Sequence, residues 1–206
     1  DSDIPAATAS TDNLAAAALA ADKMAELIGG AGKVALVVHD QTSRTGIDRR
    51  DGFVNRVKEA YPNIEIVDIQ YGAGDQLQST EITKAILAAN PDIKGIFGAN
   101  EGSAIGVVNG IKESGAQGVI VIGYDSGAAQ KAAIVDGTMA GAITQNPVGI
   151  GYETVKAAIA EAEAHTAGEI VVIISTAVHR YRSTALSLAA LVALAAPMLA
   201  LFLGWS

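Results

Sequence analysis

Short apolar runs and stretches with helical spacing alternate strictly along this chain, and that order leaves few folds open. Residues 33–38, 64–69, 93–97, 118–123 and 139–144 are rich in Val, Ile and Ala and are bounded by Gly, Pro or Asn, as strands are. Residues 14–28, 47–61, 76–89, 104–114, 128–135 and 149–164 read as the helices before, between and after them. Gly29-Gly30 and Pro62-Asn63 supply stops, and Pro91 closes the third helix. The run Gly118-Val-Ile-Val-Ile-Gly123 has no polar face, which a parallel strand covered on both sides requires. Strand and helix in strict alternation predict an α/β fold, a doubly wound parallel sheet with right-handed crossovers.

Such sheets bind ligands outside the carboxyl ends of their strands. Residues 93–106 carry the strongest local signal for that edge. A short strand ends in Gly98-Ala99, Asn100 follows, and Gly102, Ser103 and Ala104 open a helix with room for close approach to the backbone. Asn100 also suits a plain helix cap. Three further polar groups fall at corresponding places: Arg49 in the region after the first strand, Asp125 after the fourth, and Gln145 after the fifth. Together they form a rim of donors and acceptors without a nucleophile–base pair, which suits adjacent hydroxyls of a neutral ligand.

Composition removes several other classes. A net charge of −8, with no basic cluster before residue 179, speaks against a nucleic-acid partner. Cysteine is absent, and the three histidines have no metal-ligand spacing, so no metal and no cofactor are expected. Gly29-Gly-Ala-Gly-Lys33 mimics a phosphate loop, but the final Ser/Thr is missing and the run precedes a strand instead of following one. Gly123-Tyr-Asp-Ser-Gly127 resembles a nucleophile elbow and keeps a hydrolase using Asp125 as a third reading. Its triad would need a histidine after a later strand, and only His165 and His179 follow, beyond the domain boundary.

Both ends differ from the middle. No charged-then-apolar leader is visible, and Asp1-Ser-Asp-Ile-Pro5 reads as the end of a strand begun elsewhere. Residues 1–12 are therefore expected to be the end of a first lobe and a hinge, and 13–160 the α/β lobe. Residues 161–182 are expected to be a junction with one strand. Residues 183–206 carry no charge, and their apolar run, at roughly 1.5 Å per residue, reaches about the ~30 Å of a bilayer core. An apolar carboxyl-terminal helix that spans the membrane is the expectation there. The basic residues of 179–182 would hold that flank in the cytoplasm.

The motifs Asp1-Ser-Asp-Ile-Pro5, Thr11-Asp-Asn13, Arg49-Arg-Asp-Gly-Phe53, Tyr61-Pro-Asn-Ile64, Asn90-Pro-Asp-Ile93, Ile96-Phe-Gly-Ala-Asn100, Ile122-Gly-Tyr-Asp125 and Gln145-Asn-Pro147 recur in order over residues 1–160. In this they resemble the periplasmic sugar-binding proteins of ABC importers, the ribose-binding type above all. In that family two similar α/β lobes close on one sugar, and this chain corresponds to the end of the first and the whole second lobe. The resemblance implies that Arg49, Asn100, Asp125 and Gln145 contact the sugar, with Asp1 as a first-lobe carboxylate. It implies a ribose-like monosaccharide as ligand, a permease and the missing first lobe as partners, and the periplasm as location. It also implies binding without turnover, so not an enzyme. One departure is Gly74 before Asp75, where the family often carries an aromatic ring. The stretch Glu161-Ala-Glu-Ala-His-Thr-Ala-Gly-Glu-Ile-Val-Val172, with Tyr181-Arg182 and the apolar run, resembles part of a bacterial membrane-bound TPM-domain protein. A ligand-sensing lobe of a regulator or receptor is the alternative, since the same fold serves there.

Overall fold

A computed structural model describes residues 8–164 of the chain. The described elements run α1 (Asn13–Ile28), β1 (Gly32–Val38), α2 (Arg44–Ala60), β2 (Ile64–Tyr71), α3 (Gln76–Ala89), β3 (Ile93–Gly98), α4 (Glu101–Ser114), β4 (Ile120–Tyr124), α5 (Ala128–Val135), β5 (Gly141–Ile143) and α6 (Pro147–Ala164). The strands form one sheet in the order β2-β1-β3-β4-β5, and every pairing is parallel. This is the expected α/β architecture, a parallel sheet with helices packed on its two faces.

The alternation of side chains along each strand divides the core into two layers. Val34, Leu36, Val38, Phe97 and Ile122 meet α1 and α2 on one face, where Ala17, Ala20, Ala21 and Met24 let α1 lie close. Phe53 of α2 stacks on Phe97 with ring centroids 4.9 Å apart. Ala35, Val37, Ile96 and Val121 point the other way, toward α3, α4 and α5. Small residues set the spacing of α3 and α4. A Cβ on Gly106 would come 2.4 Å from the Ser79 Cβ, and one on Gly110 would come 2.6 Å from the Thr83 Cβ.

Helix starts sit earlier than the apolar periodicity shows, because polar caps set them. The Ser43 side chain accepts from Gly46 N–H, so α2 begins at Arg44 and not at residue 47. The Asn100 side chain accepts from Ser103 N–H, so α4 begins at Glu101 and not at residue 104. The last strand is shorter than the 139–144 apolar run: Met139 is buried, with its N–H on the Ala133 carbonyl, and leaves only residues 141–143 in the ladder. Gly29-Gly30 ends α1 with φ of 77° and 75° ahead of β1, so the loop that mimics a phosphate site is a helix stop.

Of the described residues, 8–158 belong to one compact unit and 159–164 to another. Among the described residues no helix is long and apolar enough to cross a membrane. The strand expected within 161–182, at residues 169–174 where Val and Ile gather, and the expected membrane helix at 183–206 lie outside the described residues, as does Asp1.

Candidate functional site

The loops after β1, β3, β4 and β5 open on the carboxyl edge of the sheet, and their polar side chains join there. Asp125, after β4, is the hub. Its Oδ1 accepts from Gln145 Nε2 at 2.6 Å, and its Oδ2 accepts from the Glu101 N–H at 3.1 Å. Gln145 Oε1 in turn accepts from Thr11 Oγ1 at 3.1 Å, which ties the segment entering α1 to the one leaving β5. Asn100 spends Oδ1 on the first turn of α4, 3.0 Å from Ser103 N. Asn100, Asp125 and Gln145 all stay half-buried, with faces open to solvent.

Local backbone geometry fixes the hub. Asp125 has φ of 83°, a conformation that Asp tolerates better than most residues but that still costs about 1 kcal/mol or more. Its N–H on the Ile143 carbonyl at 2.7 Å holds one side of the turn. Buried Gln130 holds the other, donating from Nε2 to the Tyr124 carbonyl at 2.7 Å and accepting from Gly127 N–H. A depression of about 380 Å³ opens beside Asp125 and Gln145, with Glu101 and Ser126 on its wall.

Arg49 is nearly buried at this edge. The sequence puts it among the ligand contacts, but its side chain belongs to a residue only 5% exposed. Nε donates to Asn13 Oδ1 at 2.8 Å, Nη1 donates to the Ala99 carbonyl at 2.8 Å, and the guanidinium carbon stands 3.7 Å from the centre of the Tyr124 ring. Tyr124 is fully buried and donates its own hydroxyl to the same Asn13 oxygen at 2.9 Å. Burial raises the Tyr124 phenol above its ordinary range, with Arg49 opposing. Two of the three guanidinium nitrogens are thus committed within the lobe.

His39 also stands at this edge, at the end of β1. Its Nε2 lies 3.1 Å from Thr45 Oγ1 and 3.4 Å from Ser43 Oγ, while Nδ1 is buried without a partner. Burial first, and the Arg49 charge second, hold its pKa below the ordinary value, against the pull of Asp40 and Asp125. Asp40 anchors the loop: N–H groups of Ser43 and Thr42 and the Ser43 hydroxyl hold its carboxyl far below the usual carboxylate range.

Spacing alone misses Asn13, Tyr124, Thr11 and His39. Asn13 and Thr11 precede the first strand by about a helix length, so nothing in their neighbourhood marks them as rim residues. His39 carried a usable signal, since a polar side chain directly after a buried strand lies at the ligand edge. No histidine hydrogen-bonds Asp125 or Ser126 among the described residues, and both carboxylate oxygens of Asp125 are engaged. The described residues also contain no cluster of three or more His, Cys, Asp or Glu arranged around a metal position.

A polar rim on the carboxyl edge of a parallel five-stranded sheet lies where open α/β sheets bind ligands. The chain belongs to the periplasmic binding protein domain family, whose profile matches residues 2–166. It is 29% identical over 163 residues to the D-allose-binding periplasmic protein of Escherichia coli strain K12, covering 78% of this chain and 51% of that protein. It is 26% identical over 148 residues to the ribose import binding protein of the same strain, covering 72% and 49%. Among solved structures, an ABC transporter periplasmic solute binding protein from Actinobacillus succinogenes with bound D-allose superposes with a TM-score of 0.71, 30% identity and coverage of 81% and 59%. A solute binding protein from Agrobacterium vitis with bound D-fucose gives 0.71, 31%, 82% and 57%. The chain thus spans about half the length of the curated relatives it matches. The family match ends at residue 166 and lends no support to the TPM-domain likeness of the tail.

Proposed function

We propose that this chain forms one wall of a monosaccharide site in the solute-binding component of an ABC importer, acting in the periplasm and binding its ligand without chemical change. The observation that carries this reading is the hydrogen-bonded pair Asp125–Gln145 at the carboxyl edge, braced by the N–H of Glu101 next to Asn100, in a chain of this family. Relatives named for D-allose, ribose and D-fucose support a pentose or hexose as ligand class. A second lobe supplies the opposite wall, and hinge closure of the kind described for periplasmic binding proteins as a class buries the sugar and presents a surface to the permease. Asp1 contributes from the first-lobe side.

With one wall only, the chain binds sugars weakly, outside the micromolar range. Titration calorimetry against a monosaccharide panel checks this, and micromolar binding by the chain alone refutes it. The site assignment has its own test, in a chimera carrying the first half of the D-allose-binding relative ahead of this chain. Arg49→Ala, Asp125→Ala and Gln145→Ala each lower its sugar affinity, and unchanged affinity in all three defeats the assignment.

A further inference from the structure

We propose that His39 is a specificity-determining residue of the sugar site: its imidazole forms the flat wall that a ring from the loop before α3 would otherwise supply. This rests on the monosaccharide reading above and names the group that meets the ring face of the ligand.

The loop between β2 and α3, Gly72-Ala-Gly-Asp75, carries no ring to supply that wall. Gly74 has φ of +69°, and a Cβ there would come 3.0 Å from Asn100 Nδ2 and 3.6 Å from the His39 Cβ. A side chain at Gly74 would be strained by that φ and would press on the Asn100 amide. The same distances show that loop, amide and histidine meet at one corner of the rim. That corner follows from topology, because β1 lies between β2 and β3, so His39 at its end falls between Gly74 and Asn100. The other rings near this edge are engaged elsewhere. Tyr124 is buried under Arg49, and Tyr71 packs against the α1–α2 core with its hydroxyl accepting from Arg50.

The ring is held as a wall must be. Nε2 is fixed by Thr45 and Ser43, and Ser43 is fixed by Asp40 at 2.7 Å. The side chain is 14% exposed. Nδ1 has no acceptor within reach, so a second ring proton would have no partner and the imidazole stays neutral. A neutral imidazole is an apolar plate with a polar edge, the surface that stacks on the C–H face of a sugar while hydroxyls go to Asn100 and Asp125.

The test uses the full chain, labelled with nitrogen-15 and titrated with D-allose and with D-ribose. His39→Gln assigns the His39 ring signals against those of His165 and His179. The expected result is saturable movement of the His39 ring signals together with the Asn100 and Gln145 side-chain amides, at one shared midpoint. Movement of the amides with a silent His39 overturns the proposal and leaves the binding reading standing. Silence of all of them overturns both. Substitution then separates a ligand wall from a loop anchor. His39→Phe keeps a ring but loses the Thr45 bond, and it retains the affinity. His39→Gln keeps a polar group but loses the ring, and it weakens binding by roughly twofold to tenfold, the range of an aromatic contact. The reverse order of the two variants shows an anchor only and refutes the proposal.

Discussion

Asn13→Ala is the substitution that most directly tests how the lobe holds its buried cation. The Asn13 Oδ1 accepts from Arg49 Nε at 2.8 Å and from the Tyr124 hydroxyl at 2.9 Å, both buried. Removing it strands a charged donor, for which about 1.5–3 kcal/mol is typical, and a neutral one, for which about 0.5–1.5 kcal/mol is typical. Alanine is the better helix former, which returns up to about 0.7 kcal/mol at this first position of α1. The net loss is about 2–4 kcal/mol, a large part of the ~5–15 kcal/mol that holds a domain. Urea unfolding followed by far-ultraviolet circular dichroism measures it. With a slope of roughly 1–3 kcal/mol/M, the midpoint falls by about 1–2 M. Tyr124→Phe, which removes one neutral bond and leaves Arg49 paired, costs only about 1 kcal/mol. Asn13→Asp keeps the acceptor and retains most of the stability. Equal midpoints for Asn13→Ala and Tyr124→Phe would falsify the idea that Asn13 is the clamp on Arg49.

Gly106→Ala places a carbon 2.4 Å from the Ser79 Cβ and 2.7 Å from the Gln76 carbonyl, so α3 and α4 must separate. A loss of about 1–3 kcal/mol follows, read as a lower melting temperature, and an unchanged melt refutes the close packing. Asp125→Asn keeps an acceptor and a side chain that tolerates positive φ, whereas Asp125→Ala keeps the φ of 83° without either bond; the alanine variant is the less stable by about 1–3 kcal/mol. The pH dependence has a definite sign. His39 titrates below its ordinary 6.5 in the folded chain, so the unfolded chain binds its proton first and stability falls as pH drops below 6.5. His39→Gln flattens that part of the curve, and an identical slope in the variant overturns the assignment. The depressed Asp40 carboxyl acts in a lower window, with its stabilisation present above its ordinary 3.8 and lost as pH falls beneath it.

The sheet and the edge that carries the site were legible because they rest on local signals. Apolar runs such as 118–123 name a covered parallel strand, and parallel strands place Asn100, Asp125 and Gln145 on one edge, although the strand order itself was not legible in the sequence. What escaped was the depth of each side chain beneath that edge. Arg49 looks like a rim residue from its place after the first strand. Its burial depends on an asparagine 36 positions away and a tyrosine ring from β4, and neither partnership leaves a trace in spacing. The helix starts escaped for a related reason. Ser43 and Asn100 set them through one hydrogen bond each, and apolar periodicity is blind to a cap.

Capping and binding are often weighed as rivals at a residue such as Asn100, but here the first equips the second. Oδ1 is committed to Ser103 N–H, which orients the amide and leaves the two Nδ2 protons as the groups it can offer. The same holds for the hub. Each Asp125 oxygen has one protein donor and keeps a lone pair, while Gln145 has spent one amide proton and accepted one hydroxyl. The rim is thus held in place before any ligand arrives, with spare donors at Asn100 and spare acceptors at Asp125 side by side. A cation would leave the Asn100 protons unused, and an anion would face the Asp125 charge. A hydroxyl gives one proton and accepts others, so a ligand with neighbouring hydroxyls satisfies both sides at once. Because the protein side is already ordered, a sugar of the proposed class would find that match without the cost of freezing flexible side chains. The proposed recognition of a polyol rests on what the lobe leaves unpaired after bracing itself.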